Sequence, residues 1–208
     1  MYSEGFFISK LLGEAWSLFK KNWLTFYMVM ILPTAIGFVY SMLSSSLPTG
    51  IISFVVGLAY FVFQLVVGMG VTHMMLKFVR GEKINFTADI LAKKDRLVDY
   101  VIGMIMMIGV VIGGLILLII PGLYWGLKYM FVPYLIIDKG NKPSEAFKNS
   151  AKMTEGIKWD LVGFMMASAI LIYAGILALL VGVFVTGAVA TIAYVLLYER
   201  LTKRLTLS

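Results

Sequence analysis

Three stretches of the chain, residues 22–76, 100–137 and 161–198, hold no Asp, Glu, Lys or Arg except Lys128. Each is too long for one passage through a bilayer. A helix over 161–198 would run about 57 Å at 1.5 Å per residue, against a hydrocarbon core of roughly 30 Å. Each stretch must therefore fold back on itself. Turn-forming residues lie where the reversals are needed: "SSSLPTG" over 44–50, Pro121-Gly122, and Gly182 or Thr186-Gly187.

Composition agrees. The 208 residues are 61% hydrophobic and 14% charged, more apolar than a soluble domain, whose apolar share is nearer half. The first long apolar stretch follows an amphipathic segment and far exceeds a signal peptide's core, so the N-terminus is expected to stay attached. All Lys and Arg except Lys128, and all 11 acids, lie outside the three stretches, while the turns within them are uncharged. Positive charge marks the cytoplasmic side. The expected fold is thus an all-α integral membrane protein, a single domain over 1–208 with six transmembrane helices in three hairpins and both termini cytoplasmic. The spans fall at about 23–47, 51–78, 100–120, 122–138, 159–181 and 183–201.

A charged segment precedes each hairpin and reads as an amphipathic helix on the cytoplasmic surface: 6–21, 86–98 and 143–155. In the first, Phe7, Ile8, Leu11, Leu12, Ala15, Trp16, Leu18 and Phe19 share one half of a helical wheel. In the third, Ala146, Phe147, Ala151 and Met153 oppose Glu145, Lys148 and Lys152, and Pro143 suits a first helical turn. The middle segment is poorer, because Lys94 falls within its apolar arc. Trp23, Tyr100 and Trp159 mark the three entries into the membrane.

Residues 133–161, "PYLIIDKGNKPSEAFKNSAKMTEGIKWDL", resemble a family of polytopic membrane proteins. That family includes the membrane domain joined to some bacterial glycerophosphodiester phosphodiesterases. The likeness rests on "P-Y-x-x-x-D", the proline-started "EAF…S" helix, Gly156, and Pro121-Gly122 upstream, with "YERL" at 198–201 adding a little. The resemblance implies a six-helix membrane domain and no diesterase chemistry, since nothing here corresponds to the catalytic domain of those fusions.

With no cysteine and one histidine, His73, the chain lacks the residues of a thiol nucleophile or a His/Cys metal cluster, and no cofactor or metal is expected. Paired carboxylates within a span are absent too. Asp99, Asp138, Asp160 and Glu199 fall at helix ends and read as solvated termini; His73 reads as packed or interfacial. Gly109 and Gly113 form a GxxxG suited to helix packing within the protomer first, and to a homo-oligomer second.

Two functions remain. The first is a non-enzymatic module that binds lipid or a partner through its surface helices, with Lys10, Lys20, Lys21, Lys148 and Lys152 meeting anionic headgroups on the cytoplasmic side. The net charge of +7 is then a matter of topology and lipid, not of nucleic acid. Contact with a membrane-protein partner or a second copy fits the same surface. The alternative is a small transporter or channel for an anionic or amphipathic solute. Its midplane pocket would lie around Lys128, Pro133, Tyr124 and Tyr129, open to the outer side, because a charge within a span needs a partner.

The threading predicts that Cys at position 45 reacts with an impermeant thiol reagent from outside intact cells, while Cys at position 148 reacts only after permeabilisation. External labelling at 148 would overturn it.

Overall fold

The computed structural model describes residues 8–46, 50–117, 119–177 and 181–207. The described residues form helices only: α1 (Ile8–Ser44), α2 (Ile51–Arg80), α3 (Phe86–Asp89), α4 (Leu97–Leu117), α5 (Ile119–Tyr129), α6 (Val132–Lys139), α7 (Pro143–Met153), α8 (Lys158–Leu177) and α9 (Val181–Leu207). Five stretches are long and apolar enough to cross a membrane: Ile8–Ser44, Ile51–Arg80, Phe86–Ile116, Lys158–Leu177 and Gly182–Leu205. They are compatible with a multi-pass membrane protein.

The stretch expected as a fourth span, 122–138, is not one helix. It is α5 and α6, separated by a turn at Met130 and Phe131. Pro133 lies in the first turn of α6; it has no amide to donate to the Tyr129 carbonyl, and its ring disfavours a helix continuing through it. Both pieces nevertheless run along α4. A Cβ on Gly114 would lie 2.7 Å from the Gly122 Cα, and one on Gly103 would lie 3.6 Å from Val132 Cγ1. The close approach of α4 to α5 thus uses Gly114 in place of the expected Gly109 and Gly113, which face open space.

The three segments before the hairpins take different forms. Residues 8–21 are helical and continue into α1 across a kink at Asn22 (φ −133°, ψ 29°). Their apolar side is packed against the protein, with Leu11, Ala15 and Phe19 buried in the main core; Phe7 and the start of the expected helix lie outside the described residues. The segment 86–98 is not one helix. It is the four-residue α3, a turn, and a 3-10 turn at Lys94–Arg96 leading into α4. Its geometry is dictated by pairing: Lys77 Nζ meets Asp89 Oδ2 at 2.8 Å, and Gly70 lets the Ile90 backbone rest on α2. The third segment is helical as α7, and Ala146, Ser150 and Met153 are its buried side.

The last turn also moves. Gly182, Thr186 and Gly187 are all inside α9, and α8 ends at Leu177; residues 178–180 lie outside those described. At the C-terminus of α2, Gly81 adopts φ 72°. This left-handed turn lets the Glu82 amide return to the Lys77 carbonyl at 2.9 Å.

The core lies toward one end of the molecule. It joins Leu11, Ala15 and Phe19 of α1, Met74–Leu76 of α2, residues 131–136 and the stretch 192–201 of α9. At the opposite end the helices expose large apolar side chains such as Phe38, Ile51, Phe54, Ile116 and Leu177. An apolar surface of that extent suits lipid contact.

Glycine spacing gives a direct check. Gly114→Val should lower stability in detergent by about 1–3 kcal/mol, because the added atoms meet the Gly122 backbone and the Trp125 ring. Gly109→Ala, in open space, should leave stability unchanged or slightly raised. Equal melting temperatures for the two variants would contradict the helix packing described.

Candidate functional site

The break between α5 and α6 places polar groups inside the fold. Ending α5 at Tyr129 frees carbonyls that would otherwise bond within a helix, and such groups require partners when buried. Ser150 Oγ of α7 donates to the Lys128 carbonyl at 2.8 Å, and Thr154 Oγ1 approaches the same oxygen at 3.4 Å. Tyr194 Oη of α9 donates to the Met130 carbonyl at 2.7 Å. The Tyr194 ring also packs on Phe131 and Tyr134, with centroids 5.6 and 5.4 Å apart. Ser150 and Thr154 are fully buried. Two helices from elsewhere in the chain therefore repair the interrupted ladder.

A second polar cluster closes the end of α6. Arg80 Nη2 lies 2.7 Å from Asp138 Oδ1, and Arg80 Nε donates to Glu199 Oε1 at 2.8 Å. Tyr198 Oη donates to Asp138 Oδ2 at 3.0 Å. Asp138 and Glu199 are thus held in a network that ties α2, α6 and α9 together, where a solvated helix end was expected. Asp99 lies 3.8 Å from Arg96, and Asp160 is exposed. His73 is partly buried, with Nε2 3.9 Å from Asp89 Oδ1.

Lys128 occupies the last turn of α5, where a cation faces the negative end of the helix dipole. Its Nζ lies 5.3 Å from the centre of the Tyr129 ring, and Tyr129 in turn packs against Phe147 of α7 at 4.7 Å. Tyr124 is four residues earlier and so on the same face of α5. Its hydroxyl accepts a hydrogen bond from Lys158, the first residue of α8, whose ammonium sits 4.1 Å from the ring centre. Pro133 belongs to the break and not to this group. Lys158 was not singled out by the sequence reading; the signal available was its place beside Trp159 at the start of an apolar span.

Two apolar cavities flank this cluster. One of about 350 Å³ is lined by Leu123, Tyr124, Leu127, Lys158, Trp159 and Val162. The other, about 370 Å³, shares Leu123, Leu127 and Val162 with it and continues along Gly126 and Met165. Elsewhere, Lys10, Lys20, Lys21, Lys148 and Lys152 are all exposed. Lys20 lies 5.4 Å from the Trp16 ring centre, and Glu14 of the same segment pairs with Arg200 of α9. No family model, curated protein or solved structure matches the chain.

The repair of the break predicts a measurable cost. Removing the donor to the Lys128 carbonyl with Ser150→Ala should lower stability by about 1–3 kcal/mol. Tyr194→Phe should do the same through the Met130 carbonyl, while exposed Ser144→Ala is neutral. Denaturation in detergent that treats all three alike would show that these hydroxyls do not support the break.

Proposed function

We propose that this chain is a non-enzymatic membrane module that binds anionic lipid headgroups on the cytoplasmic face of the cell membrane. In this reading α5 and α6 together make a sixth, bent crossing, the crossings pair as three hairpins, and both termini are cytoplasmic. The likeness of 133–161 to the membrane domains of glycerophosphodiester phosphodiesterases is, on this proposal, a shared membrane scaffold.

The observation that carries the lipid reading is the division of labour within residues 8–21 and α7. Their apolar sides are used up in the core, through Leu11, Ala15 and Phe19 and through Ala146 and Met153. Their lysines point outward; among the described residues, no carboxylate lies in ion-pair distance of Lys10, Lys20, Lys21, Lys148 or Lys152. Lysines held on a rigid base beside a membrane attract anionic headgroups by about 1 kcal/mol each. The transporter reading drew on the interrupted helix as a wall of a path. The Lys128 and Met130 carbonyls accept bonds from protein hydroxyls, which favours a structural break over a solute-lining one.

Replacing Lys148 and Lys152 with Gln should leave the melting temperature unchanged. It should reduce, several-fold, the enrichment of phosphatidylglycerol over phosphatidylcholine in the lipid that co-purifies with the protein. Unchanged enrichment would remove α7 from the lipid-binding surface.

A further inference from the structure

We propose that the groove between α5 and α8 holds one anionic phospholipid, its phosphate at Lys158, Tyr124 and Lys128 and one acyl chain lying along Leu127, Gly126 and Met165. The proposal rests on the lipid-binding reading and gives it a discrete site.

Charge selects the occupant. Lys158 reaches Tyr124, and Lys128 lies one turn further along the same face of α5; among the described residues neither lysine has a carboxylate within ion-pair distance. Glu155 and Asp160 flank Lys158 in sequence, and both are exposed. The Lys158 ammonium donates to Tyr124 Oη, so the phenolic proton is left to donate to another acceptor. Two cations and an O–H donor suit a phosphate diester. The start of α8 adds the positive end of a 20-residue helix on the same side.

The walls select its tail. The cavities of about 350 and 370 Å³ have three lining residues in common and so lie side by side along α5 and α8. Each is within the size range of ligand pockets. Their lining beyond Tyr124 and Lys158 is aliphatic, methionine and glycine, with Trp159 at the mouth, 86% exposed, as suits an indole at headgroup level. A Cβ on Gly126 would meet nothing within 4 Å, so the absence of a side chain there leaves room in the groove where helix packing does not need it.

The full-length protein in nanodiscs of mixed phosphatidylglycerol and phosphatidylcholine, read by native mass spectrometry, tests this. Wild type should retain one phosphatidylglycerol per chain after delipidation. Lys158→Gln should weaken that retention about fivefold, the effect of one lysine at an anionic headgroup, and Lys158→Arg should largely keep it. Gly126→Leu, filling the groove, should abolish retention of either lipid without lowering the melting temperature of the delipidated protein. Millimolar inorganic phosphate should not compete, because the acyl chain contributes to binding. Retention unaltered by both Lys158→Gln and Gly126→Leu would overturn the site while leaving the surface lysines as the basis of the lipid preference. Full displacement by phosphate would reduce it to an anion site and also overturn the proposal. A wild type with no preference for phosphatidylglycerol anywhere would defeat the broader reading and the site together.

Discussion

A bilayer offers no water to a backbone carbonyl, so a helix interrupted within it must find hydrogen-bond donors in the protein. On the proposed six-crossing arrangement, that requirement organises this fold. Pro133 ends the continuity between α5 and α6, and the exposed oxygens of Lys128 and Met130 are met by Ser150 and Tyr194. Meeting them draws α7 against α5 and α6 and brings the middle of α9 to the same place. The aromatic cluster of Phe131, Tyr134, Tyr194 and Tyr198 then fills the space between them. Arg80 fixes the far end of α6 to α2 and α9. A partly buried charge network is weak evidence for stability, but one guanidinium shared by two carboxylates does define which three helices meet.

The same arrangement explains the uneven distribution of the core. Packing is dense where residues 8–21, α6, α7 and the second half of α9 converge, and sparse where the long helices extend away from them. The sparse end can present apolar side chains to acyl chains at little cost, because lipid replaces protein as the neighbour. The dense end carries nearly all of the charge, and its exposed lysines stand on helices already committed to the protein interior. This is why the proposed headgroup contact on the outer sides of residues 8–21 and α7 is electrostatic, while the groove beside Tyr124 adds apolar contact to its charged end.

Much of the fold was legible in the sequence because its signals are local. Uncharged stretches and their lengths located the long apolar helices; Pro143 located the start of α7. What failed to show were contacts set by distant partners. Ser150 and Lys128 are separated by 22 residues, Tyr194 and Met130 by 64, and Arg80 and Glu199 by 119. Helical periodicity sorts residues into apolar and polar faces but does not say what covers them, so the apolar face of 8–21 reads equally well as lipid-facing or protein-facing. The middle segment misled for another reason: Asp89, polar by type, is buried by its bond to Lys77. Lys128 drew notice as a charge within an apolar run, yet Lys158, which bonds Tyr124 one turn away, looks from sequence like any lysine before a span.

The central claim is that α7 is docked on the interrupted helix and does not lie apart from it. The naturally cysteine-free chain allows a direct test by placing Cys at positions 129 and 147, whose rings are 4.7 Å apart, and treating membranes with a short bifunctional thiol reagent. The account predicts an efficient intramolecular cross-link for Tyr129→Cys with Phe147→Cys, and none for Tyr129→Cys with Lys148→Cys, which faces outward. Failure of the 129–147 pair to cross-link while both thiols remain reactive would contradict it.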